Sequence, residues 1–321
     1  MRFGVYTSGG DAPGMNAAIR AVVRSAVSQE HSVVGIMNGY EGMIHKNFKD
    51  LNLRSVANII QRGGTILKTA RCSDFHHAEV RAKAFENLKE QNIDALICIG
   101  GDGSFRGAMA LHAEHGIPVS GVPGTIDNDI YGTDFTIGFD TATNTALQAI
   151  DRIRDTAYSH SRIFIVEVMG RNTGFLALDV GIAGGAQDIF VPERTLGVDK
   201  VITRIEEAIQ KGKLSSIIVA AEGQKPGRAY DLAEAIRKKS GREAKVCILG
   251  HIQRGGSPTA RDRLLASGFG AAAVNGLLRE VHCHAVGISG TNLSYTPLQD
   301  VTTKKKDLRE DLLLLSQILA T

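Results

Sequence analysis

Ala95-Leu-Ile-Cys-Ile99 runs directly into Gly100-Gly-Asp-Gly-Ser104, and that junction decides how the rest of the chain is read. Five apolar residues without polar alternation suit a strand buried on both faces, the habit of parallel sheets covered by helices. Glycines and Asp102 then form a strand-end loop, and helical spacing continues over Ser104 to His115, with Ser104 a good N-cap type. The same order recurs along the chain. Phe3-Gly-Val-Tyr6 leads into Thr7-Ser-Gly-Gly-Asp11, and Val119 to Val122 into Pro123-Gly-Thr-Ile-Asp-Asn-Asp129. Ile163 to Val168 leads into Met169-Gly-Arg-Asn-Thr-Gly174, Ile217 to Ala221 into Glu222-Gly223, and Val246 to Leu249 into Gly250-His-Ile-Gln-Arg-Gly-Gly256. Between these runs Met15 to Gln29, Ala78 to Gln91, Asp140 to Ser159 and Val198 to Lys211 read as helices, with Asp140 a second good cap. Alternating strands and helices imply right-handed crossovers and a doubly wound α/β fold with mostly parallel sheets. Ligands bind beyond the carboxyl ends of such strands, where every one of these glycine-polar clusters lies, so the pattern points to an enzyme.

A chain of 321 residues exceeds the size at which one core usually stops growing, so two domains are expected, with a crossing near Gly138-Phe-Asp140. Trp is absent and aromatics are 5%, which argues against a base-stacking nucleic-acid surface. The 37 Lys+Arg against 34 Asp+Glu are too even for a polyanion-binding tail but permit local pockets for small anions. Cys72, Cys98, Cys247 and Cys283 form no C-x-x-C pair, and Cys98 and Cys247 read as core residues, which suits a reducing cytoplasm. Neither a signal-peptide pattern nor an apolar stretch of membrane-spanning length is expected, and Lys304-Lys-Lys306 reads as a solvated face.

Neither a Walker loop nor a G-x-G-x-x-G is present, and nor is a G-x-S-x-G or H-E-x-x-H motif. Phosphate binding falls instead to Ser8-Gly-Gly-Asp11 and Gly100-Gly-Asp-Gly-Ser104, whose backbone amides can approach an anion with no Cβ in the way. Asp102 could hold Mg²⁺ beside such a phosphate, although the segment equally suits a tight turn capped by Ser104. Thr125 to Asp129 offers Asp127 as a general base, against the alternative of an Asx-rich turn. Arg162, Arg171, His251 and Arg254 stand at strand starts or ends, where guanidinium groups match phosphate geometry. Arg162 and Arg171 flank one strand and lie about 30 Å apart at ~3.3 Å per residue. Arg162 is therefore either structural or serves an adjacent subunit. Arg20 and Arg24 share a helix face, and Arg154, Lys211 and Lys213 add cations for a second anion site.

Thr7 to Ala18, Gly100 to Ser104, Pro123 to Asp129, Met169-Gly-Arg171 and Gly250 to Pro258, taken in order, resemble bacterial ATP-dependent 6-phosphofructokinases over nearly the whole chain. The resemblance implies two similar Rossmann-like domains, an ATP-binding one over 1–138 plus 252–304 and a fructose 6-phosphate one over 139–251 plus 305–321. It implies a cytoplasmic homotetramer that binds neither nucleic acid nor membrane. Gly10, Arg71, Cys72, Gly101, Asp102, Gly103 and Ser104 would take ATP, with Mg²⁺ on Asp102. Asp127 would be the base, and Thr125 and Arg171 would meet the phosphoryl group in flight. Ile126, Met169, Gly170, Glu222, Lys245, His251, Ile252, Gln253 and Arg254 would line the sugar phosphate, with Arg162 reaching in from a neighbouring subunit. Arg20, Arg24, Arg154, Gly185, Gln187, Lys211, Lys213, Leu214 and Ser215 would form an effector site for ADP or phosphoenolpyruvate. Pyrophosphate-using relatives carry Asp and Lys where Gly103 and Gly124 stand, so the donor expected is ATP. Three positions depart from the pattern: Lys245 stands for Arg, Gln187 for Glu and Leu214 for Lys, which alters the charge of the effector site.

Overall fold

A computed structural model describes residues 1–160, 162–194, 196–213, 215–223 and 226–319. From the N-terminus the elements are β1 (Arg2–Thr7), α1 (Met15–Val27), β2 (Ser32–Ile36), α2 (Tyr40–Ile44), β3 (Phe48–Leu51), α3 (Ala78–Glu90), β4 (Ala95–Gly100), α4 (Asp102–His115) and β5 (Val119–Pro123). Next come α5 (Phe139–His160), β6 (Ile163–Val168), α6 (Phe175–Ala183), β7 (Asp188–Phe190), α7 (Val198–Gln210), β8 (Ser216–Ala221), α8 (Arg228–Ser240) and β9 (Ala244–Ile248). The chain ends with α9 (Ala260–Leu278), β10 (His284–Ser289), β11 (Asn292–Pro297), α10 (Leu298–Thr303) and α11 (Glu310–Leu319). Two compact units result: Met1–Thr141 with Arg254–Lys306, and Ala142–Gln253 with Asp307–Thr321.

The first unit holds a seven-stranded sheet in the order β11-β10-β5-β4-β1-β2-β3, parallel except at its two outermost pairings. Strands β1, β4 and β5 are buried almost throughout, as expected of apolar runs covered on both faces. The second unit holds a four-stranded parallel sheet in the order β7-β8-β6-β9, with Ile165, Ile218, Val201 and Ile236 in its core. Each sheet has a topological switch point that chain order alone does not reveal. In the first, β2 lies on one side of β1 and β4 on the other; in the second, β8 and β9 flank β6. Connections leaving such neighbours diverge and open a crevice between their carboxyl ends.

The doubly wound reading holds in both units, and three local readings change. Helix α4 begins at Asp102, not Ser104, because the Gly101 carbonyl already accepts from the Ser104 and Phe105 amides at 3.0 and 3.1 Å. Asp140 lies inside α5, which begins at Phe139, and its carboxylate accepts from Thr259 Oγ1 at 2.6 Å. Cys247 is only half-buried because β9 is an edge strand, whereas Cys98 is fully buried in β4. Strands β2, β3, β7, β10 and β11 escape the sequence reading; β3, β7 and β11 sit at sheet edges, where long apolar runs are not required. Among the described residues no helix is long and apolar enough to cross a membrane.

The start of α5 is capped from another helix. Asp262, 1% exposed, accepts from the Gly138 amide at 2.9 Å, the Thr141 amide at 2.8 Å and Thr141 Oγ1 at 2.5 Å. Its own amide donates to Thr259 Oγ1, the cap of α9, at 3.2 Å. Replacing Asp262 with Ala strands two buried amides, so D262A should lose roughly 2–5 kcal/mol of stability. D262N, which keeps one acceptor, should lose less. Urea unfolding checks both; a D262A loss below about 1 kcal/mol is the cost of an ordinary hydrogen bond and would exclude a special role for this carboxylate.

Candidate active site

In the first unit, three strand-end loops converge on the switch point. The β1 loop continues the ladder through the Ser8 amide on the Ile99 carbonyl at 3.0 Å. Thr69 Oγ1 donates to the Gly9 carbonyl at 2.8 Å, which fixes the segment leading to Arg71 and Cys72 beside this loop. Gly10 lies against Arg254: a Cβ there would stand 2.3 Å from Nη1, so a side chain would displace the guanidinium. Arg254 Nη1 donates to the Asp11 carbonyl at 3.1 Å. Beyond β4, Asp102 is the first residue of α4 and pairs with Arg106 Nε at 3.0 Å. Free amides at a helix start and glycines on either side of Asp102 suit a phosphate.

The loop after β5 carries the acidic residues. Burial alternates along it: Ile126, Asn128 and Ile130 are inside, while Thr125, Asp127 and Asp129 are partly exposed. Asn128, grouped by sequence with the acidic set, is an anchor whose Nδ2 donates to the Asp134 carbonyl at 3.2 Å. The Asp127 amide donates to Thr125 Oγ1 at 3.2 Å. Burial pushes the Asp129 carboxyl up to about 6, and the negative charges of Asp127 and Asp102 add to the effect. Asp102, Asp127 and Asp129 therefore form one acidic cluster drawn from two strand ends.

In the second unit, the β6 loop turns sharply through Gly170 and Arg171, at φ 140° and 51°, leaving Arg171 exposed. The Arg171 amide donates to Glu222 Oε1 at 3.3 Å, and the Glu222 amide to the Val168 carbonyl at 2.9 Å, so the ends of β6 and β8 are joined. His251 and Ile252 are exposed on a short 3₁₀ turn after β9. Gln253 in the same turn is fully buried, and its Oε1 accepts from the Met169 amide at 2.8 Å.

The Phosphofructokinase family model matches residues 2–277. The chain belongs to the phosphofructokinase family. It is 58% identical over 319 residues to ATP-dependent 6-phosphofructokinase 1 of Thermus thermophilus, with 99% of each chain covered. It is 52% identical over 319 residues to the ATP-dependent 6-phosphofructokinase of Halalkalibacterium halodurans, again over 99% of each. The solved phosphofructokinase of Saccharomyces cerevisiae superposes with a TM-score of 0.86 at 39% identity, covering 94% of this chain and 45% of that one.

Several further positions named by the phosphofructokinase resemblance can be placed in the fold. Lys245 pairs with Phe164 across β9 and β6, so it stands at the same end as Arg162, four residues and roughly 13 Å below Val168 at ~3.3 Å per residue. It forms an ion pair with Glu243 at 3.1 Å. The side chains of Gln253 and Ile126 face the core, so they hold their loops in place. Among the effector positions, Arg20 and Arg24 lie on α1 in the first unit, and Arg154, Gly185, Gln187, Lys211, Lys213 and Ser215 belong to the second. Gln187 is 2% exposed and spends its Nε2 on the Arg204 carbonyl at 3.0 Å, so its side chain does not present itself to a solute. Arg154 donates to the carbonyls of Gly184 and Gly185 at the end of α6. Leu214 lies outside the described residues. Asp262 and Thr69 escaped the sequence reading; only the Thr259-x-x-Asp262 spacing of a helix start hints at the first.

Asp129 gives a pH signature. Its folded carboxyl titrates at about 6 against an ordinary 3.8. The native state thus keeps a proton that the unfolded chain releases, and stability from this group falls as pH rises from about 4 to about 6. D129N should match the parent near pH 4 and exceed it above pH 6 by on the order of 1–3 kcal/mol, at 1.36 kcal/mol per unit. Urea unfolding without nucleotide or divalent cation checks this, and a variant no more stable than the parent at pH 7.5 would contradict it.

Proposed function

We infer that this chain transfers the γ-phosphoryl group of ATP to the C1 hydroxyl of fructose 6-phosphate, giving fructose 1,6-bisphosphate. The observation that carries the reading is the acidic cluster of Asp102, Asp127 and Asp129 beside a glycine-lined helix start, with Thr125 on the same face as Asp127. Phosphoryl transfer through a loose transition state needs positioning and charge stabilisation more than covalent chemistry. Asp127 takes the C1 hydroxyl proton. Thr125 and Arg171 stabilise charge on the transferring group, Glu222 and His251 hold the sugar phosphate, and the Gly101–Ser104 helix start with Gly10, Arg71 and Cys72 holds the nucleotide.

Asp102 fits Mg²⁺. Among the described residues no group of three or more His, Cys, Asp or Glu could hold a metal unaided, and Mg²⁺ bound to a nucleotide commonly uses one or two carboxylates while phosphates supply other oxygens. Bound there, the ion would offset phosphate charge. Open space around Gly103 favours an extended triphosphate, since a Cβ there meets nothing within 4 Å. A side chain at Gly124 would press Ile99 and Met15 at 3.1 Å. Arg162 and Lys245 share the far end of β6, so both would serve a site on another copy, which fits a homotetramer working in the cytoplasm. Lys213 and Arg154 lie close enough for mutual repulsion: burial chiefly holds the Lys213 ammonium below its usual range, with Arg154 adding to it. A bound anion would relieve that repulsion, which supports an effector site for ADP or phosphoenolpyruvate, though without help from the Gln187 side chain.

Two measurements test the reading. D127S should lower kcat by about 10²–10⁴-fold while changing the KM for fructose 6-phosphate far less. A near-parental kcat would remove Asp127 from the role of base. In a coupled assay at saturating fructose 6-phosphate, MgATP should support turnover and pyrophosphate essentially none. Equal rates with the two donors would overturn the assignment of ATP.

A further inference from the structure

The loop that carries Thr125 and Asp127 has left its sheet. The last ladder bond on that side is the Gly124 amide on the Gly100 carbonyl at 3.0 Å, and β10 pairs with β5 only at Ser120 and Gly121. A neighbouring segment replaces the missing ladder. The Ile137 amide donates to the Pro123 carbonyl at 2.9 Å, and Ile137 bridges Gly124. Thr136 Oγ1 donates to the Thr125 carbonyl at 2.6 Å, with Thr136 only 1% exposed. Gly138 packs on the loop as well, since a Cβ there would lie 3.3 Å from Ile126 and 2.7 Å from Ala12. Gly138 is held in turn by the Asp262 carboxylate.

We propose that Thr136 is a positioning residue for phosphoryl transfer: its buried hydroxyl fixes the Thr125–Ile126 peptide and so aims Asp127. The proposal rests on the reading of Asp127 as base. The peptide it holds directly precedes the Ile126–Asp127 peptide, and Thr125 is the residue whose hydroxyl receives the Asp127 amide. Without the Thr136 donor, the Thr125 carbonyl loses a buried partner and the peptide is free to rotate. Thr136 itself touches no reacting atom, so removing its hydroxyl should affect the chemical step more than binding. A displacement of about 1 Å in a reacting group can cost on the order of 10²-fold in rate.

The experiment is a cycle of T136V, D127S and the double variant, with T136S as the conservative control, assayed with MgATP and fructose 6-phosphate below each variant's melting temperature. T136V should lower kcat by roughly 10- to 100-fold and leave both KM values within about threefold. T136S should recover most of the rate. In the D127S background the T136V change should cost clearly less than in the parent, because no base remains to be aimed. An equal loss in both backgrounds, or a T136V kcat near the parent's, would overturn the proposal while leaving Asp127 as base. A near-parental kcat for D127S would overturn the base reading and the proposal with it. If T136V does not fold, T136A enters the same cycle with the same criteria.

Discussion

A strand buried on both faces can expose its chemistry only where it ends, and both sheets are organised by that constraint. β1, β4 and β5 are sealed along their length, so polar groups accumulate in the loops after Thr7, Gly100 and Pro123. Because these strands are parallel, all three loops emerge on one edge of the sheet. β6, β8 and β9 repeat the arrangement, placing Arg171, Glu222 and His251 at the ends of parallel strands.

Loops freed from a sheet must still satisfy their backbone. Both units solve this with a buried carboxylate that receives amides at a helix start. Asp262 takes the amides of Gly138 and Thr141 at the start of α5. Glu167, 1% exposed within β6, takes those of Gly227 and Ala229 at 2.8 Å each, at the start of α8. A carboxylate at a helix N-terminus gains both hydrogen bonds and the favourable end of the dipole. The device holds polar backbone at these helix starts without adding an exposed charge.

The acidic cluster works in the opposite sense. Asp102, Asp127 and Asp129 are held where their charges oppose one another, and burial raises the Asp129 carboxyl. Like charges kept close are a cost to folding, and they are a common feature of sites whose chemistry requires a base beside a cation or a proton. The surrounding tethers, Thr69 on Gly9 and Thr136 on Thr125, sustain that arrangement.

The apolar runs that end in glycine settled the fold class, because a fully buried strand must be continuously apolar and its loop must approach ligand without Cβ atoms. The strand-end positions of Gly10, Gly103, Asp102 and Asp127 were legible for the same reason: each lies in a loop or helix start directly after one strand. Edge strands such as β3 and β11 left no comparable trace, since a strand with one open side need not be apolar. Only the tertiary structure separated Asn128, an anchor, from its acidic neighbours, and Gln253, a core residue, from exposed His251 beside it. It also placed Lys245 with Arg162, since the β6–β9 register fixes which end of a strand a residue occupies. The pairing of Asp262 with Gly138 spans 124 residues, and that of Thr136 with Thr125 closes the β5–α5 connection on itself. Such bonds depend on which backbone groups a folded chain leaves without a ladder partner, and no local pattern of residue types carries that information.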